Sequence, residues 1–308
     1  MPLLTAALIV KNEEQLLPGL ISTLRRVADE IVITDTGSTD RTVEIIKKST
    51  ARLYRYAWDG NEAAARNFTL AQCRTDWILC IDADELISPA DGTRIRQYIS
   101  RPRNPYLALR VLIRHYLEPR VNLKTLFTQT ALPPSMLLSA IRIFRNHKAI
   151  AYQGLVYPTV SESLRDRQAR VYNSEVVFHH VDIARARGKQ AEKKAHYQRT
   201  VADNVRAFPH EPQAQQAMAH YQMLQGNYRT AIRYYTRALR TSPGDARLRL
   251  GLGLGYVLAG QEQKGMRLIQ TEPDKRFAWE QAAYAITAYS IIARRMRAGN
   301  KRSSCRCP

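Results

Sequence analysis

The sequence predicts an α/β domain built on a mainly parallel sheet, followed by an all-α domain of helical repeats. Three observations carry that reading. Short apolar runs alternate with segments of helical period through Glu85, the pattern of strands joined by crossover helices. One run, Trp77-Ile78-Leu79-Cys80-Ile81, has no polar interruption, as expected of a strand covered on both faces. Beyond Pro209 the strand signals cease, and Gly226 and Gly260 stand 34 residues apart between helix-period segments.

Taken in order, Thr5 to Val10 is the first strand, and Lys11-Asn12-Glu13-Glu14 follows it. Leu16, Leu17, Leu20, Ile21, Leu24 and Val27 then fall at helical spacing. Asn12 is a candidate cap for that helix, with two acids in the first turn facing the positive end of its dipole. Pro18 is tolerated if the helix starts near Leu17, and kinks it otherwise. Glu30 to Thr34 is the second strand, ending at Asp35. Thr36-Gly37-Ser38-Thr39-Asp40 is a turn, Arg41 to Lys48 a short helix, and Ala51 to Tyr56 the third strand. Ala63 to Cys73 is rich in helix formers, with Ala64, Phe68 and Ala71 spaced for one apolar face. The apolar run at Trp77 is the fourth strand. Alternation of this kind implies right-handed crossovers and a parallel sheet.

The middle is less regular. Pro89 to Ile99 reads as a helix, and Tyr106 to Leu117 as a long strand. Glu118 to Met136, with Pro119, Pro133 and Pro134, reads as a mobile loop. Ala140 to Phe144, Ala149 to Tyr152 and Glu175 to Val181 are further strand candidates. From Ile183 to Ala207 a charged helix leads away. Ala231, Tyr235, Ala238 and Pro243 match the small, aromatic, small and Pro positions of a tetratricopeptide repeat. Leu252, Gly253, Tyr256 and Gly260 open a second unit whose later half, with Gly265 at a small position, is looser. Phe277 to Arg297 reads as a third partial unit or a capping helix. So few repeats would be marginal alone and are expected to pack against the first domain. The expected boundaries are 1–182 for the α/β domain, 183–208 for a linking helix, 209–298 for the repeats and 299–308 for a disordered basic tail.

With 308 residues, 45% of them hydrophobic and 24% charged, the chain has the make-up of an ordinary globular protein. Its charge is not ordinary: 47 Lys+Arg against 27 Asp+Glu leave +20. Such a field favours anionic partners. The basic residues are scattered and not interleaved with aromatics in a recognised module, which argues against nucleic acid. An anionic membrane surface remains a candidate partner, as does a second copy of the chain through the repeats. Cys73 and Cys80 sit in a helix and a buried strand, and Cys305 and Cys307 lack neighbours for a zinc site. A reducing, cytoplasmic setting is expected, peripheral to the inner membrane surface if the basic charge is used there. Leu3 to Val10 is a first strand and not a signal peptide, and no run approaches a membrane span.

Polar groups gather at three strand ends: Lys11-Asn12-Glu13, Asp35, and Asp82 with Asp84. In open α/β sheets ligands bind beyond the carboxyl ends of the strands. A pair of carboxylates there needs a neutralising cation, and hard divalent ions bridged to a diphosphate accept such ligands. No Gly-x-Gly-x-x-Gly follows the first strand, which argues against a dinucleotide, and no Walker-type loop is present. Asp-x-Asp alone is weak evidence, since a polar turn after a strand gives the same tripeptide. The convergence of three strand ends is what gives it weight.

At LIVKNEE (8–14), DTGSTDRT (35–42), NEAAARN (61–67), DWILCIDADE (76–85) and RIFRN (142–146), the chain resembles family 2 glycosyltransferases of the GT-A fold, a Rossmann-like α/β architecture. The nearest branch carries tetratricopeptide repeats and includes lipopolysaccharide-core glucosyltransferases and peptide S-glycosyltransferases. The resemblance implies an inverting, metal-dependent hexosyltransferase that moves a sugar from a UDP-sugar to a glycolipid, polysaccharide or peptide. It implies that Asp35 accepts from uracil and Glu13 faces the nucleoside, beside Lys11 and Asn12. Arg66 and Asn67 would hold the diphosphate or donor sugar. Asp84, with Asp82 close by, would carry Mn²⁺ or Mg²⁺, and His179 matches a position that completes the metal shell.

One departure stands out. The family usually shows Gly-x-Val-His-Glu after the RIFRN strand, and here the stretch is Gly154-Leu155-Val156-Tyr157-Pro158. Both the acid and the histidine of the acceptor side are absent. Glu162, in the loop from Thr159 to Leu164, is the best remaining base, against the simpler reading of an exposed loop acid. The alternative to an enzyme is a scaffold of the same fold that binds partners through its repeats. The arginines at 229, 233, 237 and 240 form one face of a repeat helix. That face is either plainly solvated or a dock for an anionic partner.

Overall fold

The computed structural model describes residues 1–116, 127, 135–154, 157–181, 187–271 and, within 281–292, all but 283 and 290. Most of the loop expected over Glu118 to Met136 and the whole tail 299–308 lie outside the described residues. The chain divides into two compact units. One is formed by 1–115, 122–127 and 139–183, and the other by 116–121, 128–138 and 184–308.

The first unit is an α/β sandwich. Its strands are β1 (Leu4–Val10), β2 (Glu30–Asp35), β3 (Arg52–Arg55), β4 (Trp77–Cys80), β5 (Glu85–Ile87), β6 (Ala108–Tyr116), β7 (Ser135–Arg145) and β8 (Val171–His180). Interspersed are α1 (Leu17–Leu24), α2 (Thr42–Lys47), α3 (Glu62–Leu70), α4 (Pro89–Ile99) and α5 (Ser161–Asp166). The sheet order is β3-β2-β1-β4-β7-β6-β8-β5. β1 pairs in parallel with β2 and β4, and β2 with β3, as the alternation predicts. β7 runs antiparallel to β4, and β5 antiparallel to β8.

The apolar runs of the central strands serve both faces. Leu4, Ala6, Leu8 and Val10 of β1, Ile31 and Ile33 of β2, and Trp77 and Leu79 of β4 join one core with α1 and α4. The intervening Ala7, Val32, Ile78 and Cys80 enter a second core with Ala63, Phe144, Tyr152 and Leu164. Period-2 alternation puts successive side chains on opposite faces, so a strand covered twice is apolar almost throughout. The buried Thr5 of β1 and Thr34 of β2 are hydrogen-bonded to Glu30 and Thr69.

Local expectations fared unevenly. α1 starts at Leu17 with Pro18 in its first turn, where no N–H is missed. Asn12 does not cap it: the cap position is Leu16, with no side-chain bond. Asn12 instead takes φ 59°, a left-handed conformation that Asn tolerates better than most residues. α3 buries Ala63, Ala65, Arg66 and Thr69 rather than a face of Ala64, Phe68 and Ala71. The helix turns its arginine inward toward an acid, and charge pairing overrides apolar spacing. The strand expected over Ala149 to Tyr152 is absent. Side chains replace the ladder there: Asn67 Oδ1 accepts from Tyr152 N at 2.7 Å and its Nδ2 donates to Tyr152 O at 2.9 Å. Ser163 Oγ does the same for Ala151, 3.1 Å to each backbone group.

The second unit is helical: α6 (Arg187–Ala207), α7 (Pro212–Leu224), α8 (Tyr228–Thr241), α9 (Ala246–Leu258) and α10 (Glu262–Gln270). Gly226 and Gly260 close the α7–α8 and α9–α10 turns with φ 77° and 86°, which only glycine adopts without strain. Ala231, Tyr235 and Ala238 are buried between the hairpins. Gly253 and Gly265 let α9 and α10 meet backbone to backbone. A Cβ on Gly265 would lie 2.5 Å from Gly253 O.

Candidate active site at the carboxyl rim of the sheet

β1, β2 and β4 end side by side, and their following loops build the rim. The first two loops are stitched together. Asn12 Oδ1 accepts from Thr39 N at 2.7 Å and Asp40 N at 3.3 Å, while Asn12 N donates to Ser38 Oγ at 2.8 Å. Glu13 N donates to Thr42 Oγ1 at 2.7 Å. Asp35 is buried at the end of β2 and accepts from Gly37 N and Ser38 N, each at 3.2 Å. Tyr56 N donates to Asp35 O at 2.9 Å, tying the end of β3 to the same rim. Lys11 is exposed, and Glu13 half-buried. Thus Asn12 organises the rim by shaping two loops, and Asp35 sits where both meet.

Beyond β4 the chain turns through Asp82-Ala83-Asp84 into the three-residue strand β5. Asp82 lies between two arginines. Its Oδ1 accepts from Arg66 Nη2 at 2.7 Å, and its Oδ2 from Arg142 Nη2 at 2.8 Å. Arg142 Nη2 also donates to Glu85 Oε1 at 2.6 Å, and Glu85 Oε2 accepts from Asp82 N at 3.0 Å. Arg66 reaches back to Glu62 Oε1 at 2.8 Å, with its guanidinium 5.3 Å from the Tyr152 ring centre. Burial alone would raise the Asp82 carboxyl. Arg142 and Arg66 outweigh it and hold Asp82 well below the usual carboxylate range. Glu85, wholly buried with a single arginine, is pushed upward by burial.

Asp84 faces a different group. Its Oδ2 lies 3.6 Å from His180 Nε2, and its backbone oxygen accepts from Val181 N at 2.8 Å. The β5–β8 register puts His180 opposite Glu85, and His179 opposite Leu86. Residues paired across strands share a face, and their neighbours take the other. His180, not His179, therefore approaches the acidic turn. His179 packs against the Phe127 ring, with centres 5.1 Å apart. Burial, then Arg114, lowers its pKa to about 4, against the pull of Asp91. His180 in turn stacks on His115 of β6, ring centres 4.5 Å apart and planes at 31°.

These contacts bear on three sequence expectations. Asp82 accepts a guanidinium group on each carboxylate oxygen. Asn67 has both amide groups committed to the Tyr152 backbone, and anchors the loop instead of facing a ligand. Of the two histidines it is His180 that lies beside Asp84, because strand parity turns His179 away. Glu162 sits in the first turn of α5, its side chain 47% exposed and 3.8 Å from Arg165. Arg142, Glu85, His180 and His115 were missed. Arg142 opens the RIFRN stretch (142–146), and Phe178-His179-His180 holds two adjacent histidines that only strand register separates.

Asp84 and His180 together offer one carboxylate and one imidazole. Among the described residues no group of three His, Cys, Asp or Glu side chains converges. Such a set does not suit an ion caged by protein alone. It does suit a Mg²⁺- or Mn²⁺-like ion that takes the rest of its shell from phosphate oxygens and water.

Residues 5–120 match the family model described as glycosyl transferase family 2, and residues 212–254 one described as a tetratricopeptide repeat. A TPR repeat-containing protein of Synechococcus elongatus is 34% identical over 157 residues, which cover 51% of this chain and 35% of that protein. An uncharacterized glycosyltransferase of Rickettsia bellii is 33% identical over 120 residues, 38% of this chain and 40% of its own. The SPbeta prophage-derived glycosyltransferase SunS of Bacillus subtilis is 31% identical over 96 residues, 30% and 23% of the two chains. The chain spans well under half the length of each of these relatives. The N-terminal α/β unit thus carries a glycosyl transferase family 2 match over residues 5–120, and the helical unit a tetratricopeptide-repeat match over residues 212–254.

Proposed function

We propose that this chain is an inverting glycosyltransferase that moves a hexose from a UDP-sugar to a glycolipid, polysaccharide or peptide hydroxyl or thiol, with Mn²⁺ or Mg²⁺ on the diphosphate. The observation that carries the reading is the coincidence of the family 2 match with a rim bearing Asp35, Arg66 and Asp84. Asp35 accepts from the uracil ring N–H, with Glu13 and Lys11 toward the nucleoside. Asp84 and His180 hold the divalent ion. A bound ion would offset the charge of the departing nucleoside diphosphate without any proton transfer. Arg66 and Arg142, kept charged by Asp82, stand beside it as phosphate donors, a task for which a planar guanidinium suits. Arg142 Nε is buried with no hydrogen-bond partner, which supports an anionic oxygen as its counterpart.

Thermal shift against UDP with and without Mn²⁺ tests the site. Asp84→Ala should remove the Mn²⁺-dependent part of the stabilisation and leave the metal-free part; an unchanged metal dependence would refute the assignment. Equal affinity for UDP and CDP would count against Asp35 as the uracil acceptor, because a site built around one hydrogen bond rejects a ligand that leaves it unpaired.

In the transfer step, the acceptor atom forms a bond to the anomeric carbon as the bond to the diphosphate oxygen breaks. The acceptor proton needs a base within hydrogen-bond reach. Glu162 fills that role in this proposal, because Tyr157-Pro158 stands where the family carries His-Glu. Glu162→Gln should then abolish transfer while leaving donor affinity within about twofold, since the base touches no part of the donor. The same replacement favours a second reading, a donor-binding scaffold. Donor binding without transfer or donor hydrolysis would support it.

A further inference from the structure

We propose that the arginine face of α8 docks the chain on an anionic lipid surface. Arg229, Arg233, Arg237 and Arg240 are all exposed. At 3.6 residues per turn they fall within an arc of roughly 80° and extend along about 16 Å of helix. The opposite face, Ala231, Tyr235 and Ala238, is buried in the repeat core, so the stripe is fixed outward by packing. From Pro212 to Gly244 the chain contains no Asp or Glu. Among the described residues none of the four arginines forms an ion pair. Arg233 donates to Thr230 Oγ1 at 3.2 Å, and Arg237 lies 5.5 Å over the Tyr234 ring.

A solvated helix face ordinarily mixes signs, because acids one turn away stabilise the helix. Here the repulsion between arginines at i and i+4 is left uncompensated over three turns. A polyanionic partner relieves it. Single-stranded nucleic acid would need exposed rings for base stacking, whereas Tyr234 is half-buried and covered by Arg237. Clusters of four or more basic residues on one amphipathic helix suit an anionic bilayer surface. No helix among the described residues is long and apolar enough to cross a membrane, so docking of this kind is peripheral and salt-sensitive. The inference is independent of the transfer reaction, since none of the four residues belongs to the site at the sheet.

Cosedimentation of the full chain with phosphatidylcholine vesicles, with and without about one-third phosphatidylglycerol, tests it. Each arginine near an anionic surface is worth about fivefold in partitioning. Wild type should bind only the anionic vesicles and be released by 0.5 M NaCl, roughly a Debye length of 4 Å. The fourfold change R229Q/R233Q/R237Q/R240Q should lower partitioning at least a hundredfold, and the corresponding fourfold Lys variant should retain it. A charge-matched control, R25Q/R26Q/K47Q/R103Q, removes four exposed cations of the other unit and should cost less than tenfold. An unchanged helical circular-dichroism signal and unchanged amide-exchange protection of the α7 to α10 peptides in all three variants show that they are folded. The proposal is overturned if wild type ignores anionic vesicles, or if the control loses as much as the α8 variant. It is likewise overturned if a single-stranded RNA oligomer competes fully at equal charge concentration.

Discussion

Arg66, Asp82, Arg142 and Glu85 form a chain of ion pairs largely shielded from water, each bonded to the next. Between α9 and α10 there is no charge at the closest approach, only Gly253 and Gly265 with Val257 and Ile269 against them. Both regions are tight, for opposite reasons. The first is held by groups that each need a partner, because a buried charge left alone is far costlier than the pair is favourable. The second is held by the absence of side-chain atoms, because backbones meet only where no Cβ intervenes. Damage to the first should therefore depend on which partners remain. Damage to the second should depend on volume alone.

The largest effect follows from Arg142. Among the described residues it is the one arginine bonded to Glu85, and it shares Asp82 with Arg66. Arg142→Met should cost about 3–5 kcal/mol of stability, measured by urea unfolding of the full chain, through the stranded carboxylates. Adding Glu85→Gln to that variant should recover a part of the loss. Additive behaviour in this cycle would mean that the two residues do not interact, against the contact at 2.6 Å.

The same contrast explains how much was legible in the sequence. Strands β1 to β4 and their crossovers could be read because both faces of the sheet are apolar and period-2 alternation leaves long runs. Gly226 and Gly260 could be read because a positive φ admits few other residues. The charge cluster could not be read. Asp82 and Arg142 lie 60 residues apart, and only the antiparallel docking of β7 on β4 brings them together. β5, with three residues, is too short for any period to show. Asn67 was expected beside the ligand because it follows Arg66 in the NEAAARN motif (61–67). Yet the next residue on a helix is rotated by about 100°, which turns its amide to the Tyr152 backbone. Site chemistry was legible as a list of residue types. Which of two neighbours does the work was decided by helix rotation at Arg66 and Asn67, and by strand parity at His179 and His180.

Gly265→Ala sharpens the volume side of the comparison. Its Cβ would meet Gly253 O at 2.5 Å and Val257 Cγ2 at 2.6 Å. Backbone cannot yield there as a side-chain end can. The expected loss is about 2–3 kcal/mol, at the upper end of overpacking costs. It should be read locally as faster amide exchange in peptides from α9 and α10. Because no charge is involved, it should show the same loss in 0.1 M and 1 M NaCl. A salt-dependent loss would break the comparison.

Asn67→Ala lies between the two kinds. It removes two neutral hydrogen bonds and strands the N–H and C=O of a buried residue, Tyr152. The expected cost is about 2 kcal/mol, within the range for buried groups left unsatisfied. UDP affinity should be unchanged if the amide is an anchor. A tenfold weaker UDP affinity with intact stability would restore Asn67 to the ligand side.

The last effect vanishes at neutral pH because it concerns protons, and it separates two ways of burying an ionisable group. Asp82 keeps its charge by pairing it with two arginines. His220 on α7 follows the other course: burial lowers its pKa to about 4, so it stays neutral in the fold. In the unfolded chain its pKa returns to about 6.5. Between those values the unfolded state binds a proton that the folded state refuses, so protonation favours unfolding. The helical unit should therefore be fully stable above about pH 6.5 and lose stability as pH falls toward 4. Amide exchange in peptides of α7 and α8, corrected for intrinsic rates, should show protection falling across that window. His220→Gln, which cannot titrate, should flatten the slope there while leaving the peptides of β1 and β2 unaffected. If the variant keeps the wild-type slope, His220 is not the group that refuses the proton, and the contrast between paired and neutralised burial fails at this residue.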